Sequence, residues 1–257
     1  LEFYSNNSIY NQNNKDIPKK IINKNIFLVK NLFNYEIVVS PPNNLPDNFE
    51  TVYVTDNDVN CDLAKNLGWG IVKKVEDYLH VTDKFQKRRV IAFINSFPHK
   101  VCPEVIDYKF VFVCDSNIIR LWDEYTVFTS NCTSDNALFI TSGYYSNSRD
   151  TIMSERDESI GLSRWSYNRD EINSSTERYI SELKENNVDL STLSVVSAKY
   201  IGWNLRHKDY DLLSNKLYSE YSINLQGNII LTYMSGLFPN SIYNFHTKKY
   251  GGVRLNS

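Results

Sequence analysis

The sequence predicts an α/β fold in a single domain, on three observations. Strand-like and helix-like stretches alternate along the chain, as in layered α/β architectures. No internal repeat and no low-complexity linker follows residue 24. The 257 residues, 42% of them hydrophobic, are enough to bury one large core, although the length alone fits two small domains equally well.

The elements are predicted in chain order as follows. Residues 1–24 are polar, with Asn6, Asn7, Asn11, Asn13 and Asn14 close together, and read as a lead-in. Ile26–Val29 and Tyr35–Val39 read as strands, the second ended by Pro41 and Pro42. TVYVTDND, from Thr51, reads as a strand running into a turn at Asp56, Asn57 and Asp58. Gly68-Trp69-Gly70 makes a bend before a short strand at Ile71 and Val72. DKFQKRRVIAFINSF, residues 83–97, spaces Val90, Ile91, Phe93, Ile94 and Phe97 along one helix face, and Pro98 closes it. Residues 109–114, apolar from Phe110 to Cys114, read as the central strand, with a further strand at 137–141. SSTERYISELKENN is the clearest helix, with Ser174 and Glu177 as a capping box and Tyr179, Ile180 and Leu183 as its buried stripe. Residues 195–205 read as a strand, and 210–221 and 228–238 as helices.

Composition removes several functions. A net charge of −2 argues against nucleic-acid binding, which needs a basic face. Cys61, Cys102, Cys114 and Cys132 form no CxxC pair, so they read as reduced core residues rather than a zinc ribbon or redox motif. GxGxxG, GxxxxGK[ST] and HExxH are absent, which disfavours dinucleotide oxidoreductases, P-loop enzymes and zincins. No run approaches the roughly 20 apolar residues of a membrane span, and no signal-peptide pattern is present.

FVFVCDSNIIRL, residues 110–121, places a carboxylate and an amide at the end of the central strand. Asp115 and Asn117, two apart, face the same side of extended backbone. Both offer oxygen, the donor that hard cations such as Mg²⁺ and Mn²⁺ select. Ligands of α/β folds collect beyond the carboxyl ends of strands, so Asp-x-Asn there suits a metal held against a diphosphate. The same Asp-Ser-Asn triplet is also an ordinary turn signal.

Around that strand the chain resembles the GT-A glycosyltransferases, and within them a group that includes algal-virus capsid glycosyltransferases and DUF616-type domains. The resemblance runs through SPPNN at 40–44, VYVTDND at 52–58, LGWGIVKK at 67–74 and RRVIAFINSFPHKVCP at 88–103. It continues through FVCDSNIIRL at 112–121, RDTIMSE at 149–155 and QGNIILTY at 226–233. Order and spacing carry it, over roughly residues 25–250. It implies a GT-A fold: a Rossmann-like nucleotide half, about 25–121, joined to an acceptor half, about 122–257, by one central mixed sheet flanked by helices. It also implies a nucleotide-sugar donor, in the first instance a UDP-sugar, a glycan or glycoprotein acceptor, and Mn²⁺ or Mg²⁺. The expected setting is cytoplasmic (a host cytoplasm if the source is a virus). Because the chain begins at Leu1, membrane association through a missing N-terminus stays open.

Residue roles follow from the resemblance. Asp115, Asn117 and His246 are the metal ligands it implies, Asn117 standing where the family often has Asp. Thr55, Asp56, Asn57, Arg89, Asp115, Arg149 and Lys248 are the donor-binding set, with Lys249 beside Lys248. Asp56 reads equally as a cap or turn residue, and the two lysines equally as a solvated surface pair. Asn95 replaces a family lysine, and His99 reads as a buried histidine holding a loop. Glu155 binds hydroxyls or pairs with Arg149 as a structural charge. The family acid expected before the last helix is missing at Leu225, Gln226, Gly227 and Asn228, which leaves Glu220 as the fallback base beside Glu155. Trp165 and Trp203 read as core before sugar platform. Two alternatives stand beside glycosyl transfer: a catalytically weak sugar- or nucleotide-binding module of the same fold, and a nucleotidyltransferase.

Overall fold

The computed structural model describes residues 22–33, 37–43, 45–75, 83–116, 129–130, 132–142, 151–162 and 167–246. Its centre is a seven-stranded sheet in the order β3-β2-β1-β4-β6-β5-β7. The strands are β1 (Asn25–Asn31), β2 (Phe49–Thr55), β3 (Ile71–Lys74), β4 (Val111–Asp115), β5 (Leu138–Ser142), β6 (Val196–Trp203) and β7 (Ile242–His246). β1 to β4, β5 and β7 run in one direction, and β6 is antiparallel to both its neighbours. The protein is therefore α/β with one mixed sheet running unbroken from the first half to the second, as the resemblance implies.

The central strands are apolar because both faces are covered, the usual condition of parallel sheets. Alternate residues divide between two cores. Ile26, Leu28, Val52, Val54, Val111, Val113, Ile201 and Trp203 belong to the larger. Phe27, Val29, Tyr53, Phe112, Phe139 and Tyr200 belong to an aromatic core on the other face, where Phe112 stacks on Tyr200 at 5.7 Å.

The principal helices are α1 (Asp58–Asn66), α2 (Lys84–Ser96), the single turn α3 (Pro98–Val101), α4 (Ile152–Gly161), α5 (Arg169–Glu185), α6 (Tyr210–Tyr221) and α7 (Gly227–Leu237). α2 packs on α6, and α7 on β6. Among the described residues no helix is long and apolar enough to cross a membrane. The four cysteines are free and buried, as expected.

Three local expectations are corrected. Residues 37–39 form no strand; they are held without a ladder, Val39 O accepting the Trp69 indole N–H at 2.8 Å and Val38 packing on the aromatic core. Ser174 caps nothing: α5 begins at Arg169 after Asn168, because RDEIN is itself helix-competent with two acids in the first turn. Ser174 Oγ instead donates to Asp170 O at 2.8 Å. Finally, α1, α4 and β7 had no counterpart in the sequence reading, the α1 start having looked like a turn.

Candidate functional site

Sequence order turns round between β1 and β4. The chain lays β2 and β3 on one side of β1 and then returns to place β4 on the other. A crevice opens beyond the carboxyl ends of strands at such a switch point, and ligands of open α/β sheets bind there. Lys30 and Asp115 are register partners across it, with Lys30 Nζ 2.8 Å from Asp115 Oδ1. The Lys30 side chain is only 3% exposed, the Asp115 side chain 39%. Burying an ammonium needs a partner, and Asp115 supplies it while keeping one edge toward solvent.

The residues expected to meet the nucleotide stand at the neighbouring strand ends. Thr55 closes β2, and its Oγ1 accepts from Asn60 Nδ2 at 3.5 Å. Asp56 is buried, and both its oxygens accept the Phe33 N–H, at 3.0 and 3.1 Å. That contact fixes the chain leaving β1, where Phe33 takes the left-handed backbone, φ 60°, costly for a bulky residue. Asn57 is the N-cap of α1, accepting from Val59 N at 2.8 Å and Asn60 N at 3.2 Å. Asp56 and Asn57 thus shape the lip through backbone contacts.

Arg89 bridges helices: its Nη2 donates to Ser222 O at 3.3 Å and its guanidinium lies 4.4 Å over the Phe85 ring. The neighbouring Arg88 is the exposed one, and its charge acts with that of Asp115 on the Tyr221 hydroxyl. Burial pushes that hydroxyl up, and the Asn95 amide acts against burial.

On the far side of β4 the antiparallel ladder ends at the Cys114–Tyr200 pair, and Asp115 and Lys199 are the next residues along their two strands. β6 carries a bulge here: its register against β5 shifts between Phe139 and Thr141. Bulges free an N–H and re-aim a side chain. Ala198 N donates to Asn228 Oδ1 at 2.9 Å, Asn228 Nδ2 donates to Glu155 Oε1 at 2.9 Å, and Val196 N donates to Thr232 Oγ1 at 3.0 Å. Glu155 is fully buried; it anchors α7 to the bulge. Lys199, the exposed residue of β6, makes no ion pair among the described residues.

Glu220 stands apart from this lip. Its carboxylate takes Arg178 Nη2 at 2.5 Å, the Tyr179 hydroxyl at 2.8 Å and Lys216 Nζ at 3.0 Å. Burial pulls its pKa up, but the three donors outweigh burial and hold it below the ordinary value. His99 holds a connection, its Nδ1 3.0 Å from the Tyr210 hydroxyl, which donates to Ser96 O. Trp203 is core, its indole N–H donating to Asn95 O at 2.6 Å. Asn117, Arg149, Trp165, Lys248 and Lys249 lie outside the described residues. His246 ends β7 in register with Ser142, and its side chain is likewise outside them.

For a divalent cation the described residues do not suffice. Of the expected ligands only Asp115 has a described side chain, and a lysine already neutralises it. Among the described residues no group of three His, Cys, Asp or Glu could hold a metal.

Two lysines are the residues the sequence reading missed. Lys30 had a signal: a charged residue inside NIFLVKN needs a buried partner. Lys199 had none, because a bulge cannot be read from one strand alone.

No family model matches the chain, and no curated protein does. Among solved structures, mouse xyloside xylosyltransferase 1 is 10% identical, with 87% of this chain and 84% of that one covered and a TM-score of 0.48. The galactosyltransferase LgtC, in complex with donor and acceptor sugar analogues, is 13% identical over 87% and 73%, with a TM-score of 0.44. The 4-diphosphocytidyl-2C-methyl-D-erythritol synthase of Anaerococcus prevotii is 8% identical over 94% and 94%, with a TM-score of 0.42. Likenesses this shallow join enzymes of different names and leave the chemistry to the site itself.

Proposed function

We propose that the protein is a glycosyltransferase, moving a sugar from a nucleoside-diphosphate donor, in the first instance a UDP-sugar, to a glycan or glycoprotein hydroxyl. One observation carries the reading: Asp115, half-open to solvent, stands at the carboxyl end of β4 on the switch point. The ordered motifs from SPPNN to QGNIILTY support it. Thr55, Asp56 and Asn57 form the nucleotide side of the lip, and Arg149 and Lys248 are the donor-binding residues that the resemblance adds.

The departing nucleoside diphosphate gathers negative charge as the glycosidic bond breaks, so cationic groups at this lip lower the barrier. The acceptor hydroxyl also needs a base within hydrogen-bond reach. Glu155 is fully buried against Asn228 and Glu220 is tied to three donors. That observation favours a second reading, a sugar- or nucleotide-binding module without turnover.

A thermal-shift panel of UDP-, GDP- and CMP-sugars, with and without Mn²⁺, combined with an assay for sugar transfer, separates the two. A donor at 100 times its Kd adds about 2.7 kcal/mol of stability. We expect a shift with one donor class, together with transfer to an acceptor glycan. A shift without turnover means the binding module, and a preference for nucleoside triphosphates means nucleotidyl transfer.

A further inference from the structure

Three features of the lip concern charge. Asp115, the carboxylate placed to carry a cation, is already neutralised by Lys30 at 2.8 Å, whose ammonium is too enclosed to find another counter-ion. On the opposite flank of Asp115, the β6 bulge leaves Lys199 exposed one ladder step beyond the Cys114–Tyr200 pair. That bulge is built: the Ala198 N–H is satisfied by Asn228, which the fully buried Glu155 holds in turn. Such support around an irregular strand end serves to aim what the bulge displays.

We infer that a nucleoside diphosphate is held at this lip without a divalent cation, Lys30 neutralising Asp115 and Lys199 supplying the positive charge that meets the phosphates. The inference rests on the nucleotide-sugar reading above. An ion pair of this kind does for the carboxylate what a bound metal would do, at fixed geometry. An exposed ammonium then contacts phosphate as a point charge.

The test is calorimetric titration of the full chain with UDP, and with uridine as the ligand lacking phosphates, in EDTA and in Mn²⁺. GDP and guanosine replace them if the donor panel selects guanine. We expect UDP to bind equally in both conditions. Lys199→Met should weaken UDP in EDTA by roughly tenfold or more, the effect of losing one charge-assisted contact, and leave uridine unchanged. Lys30→Met releases Asp115 and should create a dependence on Mn²⁺ that the native chain lacks. Should Lys30→Met fail to melt cooperatively, Lys199→Met carries the test alone, because its side chain is exposed.

UDP binding that requires Mn²⁺ in the native chain overturns the inference and leaves the nucleotide-sugar reading standing. So does a Lys199→Met variant that binds UDP normally or loses UDP and uridine alike. Binding of no nucleotide under either condition removes the nucleotide-sugar reading as well.

Discussion

Lys30 and Asp115 show how one residue changes the meaning of another. Asp115 stood out in the sequence as a carboxylate at the end of an apolar strand, and the structure puts that strand end at the switch point. The lysine that holds it was visible in the same sequence, but nothing in one strand says which residue faces it across the sheet; that depends on the register of β1 against β4. Asp56 and Asn57 taught the reverse lesson, since capping and loop-fixing groups share residue types with ligand-binding ones. Removing one partner of a partly buried ion pair strands the other. Asp115→Ala and Lys30→Met should each cost roughly 2–3 kcal/mol, less than for a fully buried pair because Asp115 is 39% exposed. The double variant should be more stable than the sum of the two losses, by about 1 kcal/mol or more. Urea melts of the four proteins measure this directly, and strict additivity would mean that the pair is not coupled.

At the scale of elements, the apolar runs behind β1, β2, β4 and β6 and the periodic stripe of α2 were readable because burial dictates them. What escaped was set by local polar contacts: the Asn57 cap that makes α1 a helix, the Thr151 box that opens α4, and the bulge of β6 with its Asn228 support. The α5–α6 pair holds a buried charge cluster of a different kind. Glu220 is a structural counter-ion there, and its titration should show in stability. Burial raises its pKa, the bonds from Arg178, Tyr179 and Lys216 lower it more, and the folded value lies below the ordinary 4.5. The unfolded chain therefore binds the proton more tightly. Stability from this group is complete above about pH 4.5 and is lost as pH falls through the folded value. Glu220→Gln should lower the melting temperature at pH 7 and flatten its decline below pH 4.5 relative to the native chain. A variant that melts in parallel with the native chain across this range would show that the cluster contributes nothing.

In the whole molecule, one sheet joins the parallel strands β1 to β4 to a half reversed by β6, with both faces packed and a polar lip at the described strand ends. Its α/β class followed from alternation and length. The strand order did not, since sequence spacing fixes neither where β4 returns nor that β6 inverts. That order is what gathers Lys30, Asp56, Asp115, Lys199 and Tyr221 from distant parts of the chain into one place. The most direct measurement is a crystal structure of the protein grown with UDP, or with the nucleotide the donor panel selects. The diphosphate is expected beyond the carboxyl ends of β1 and β4, with Lys199 Nζ within hydrogen-bond distance of a phosphate oxygen and the Lys30–Asp115 pair intact. A nucleotide bound elsewhere on the surface, with this lip unchanged and empty, would contradict it.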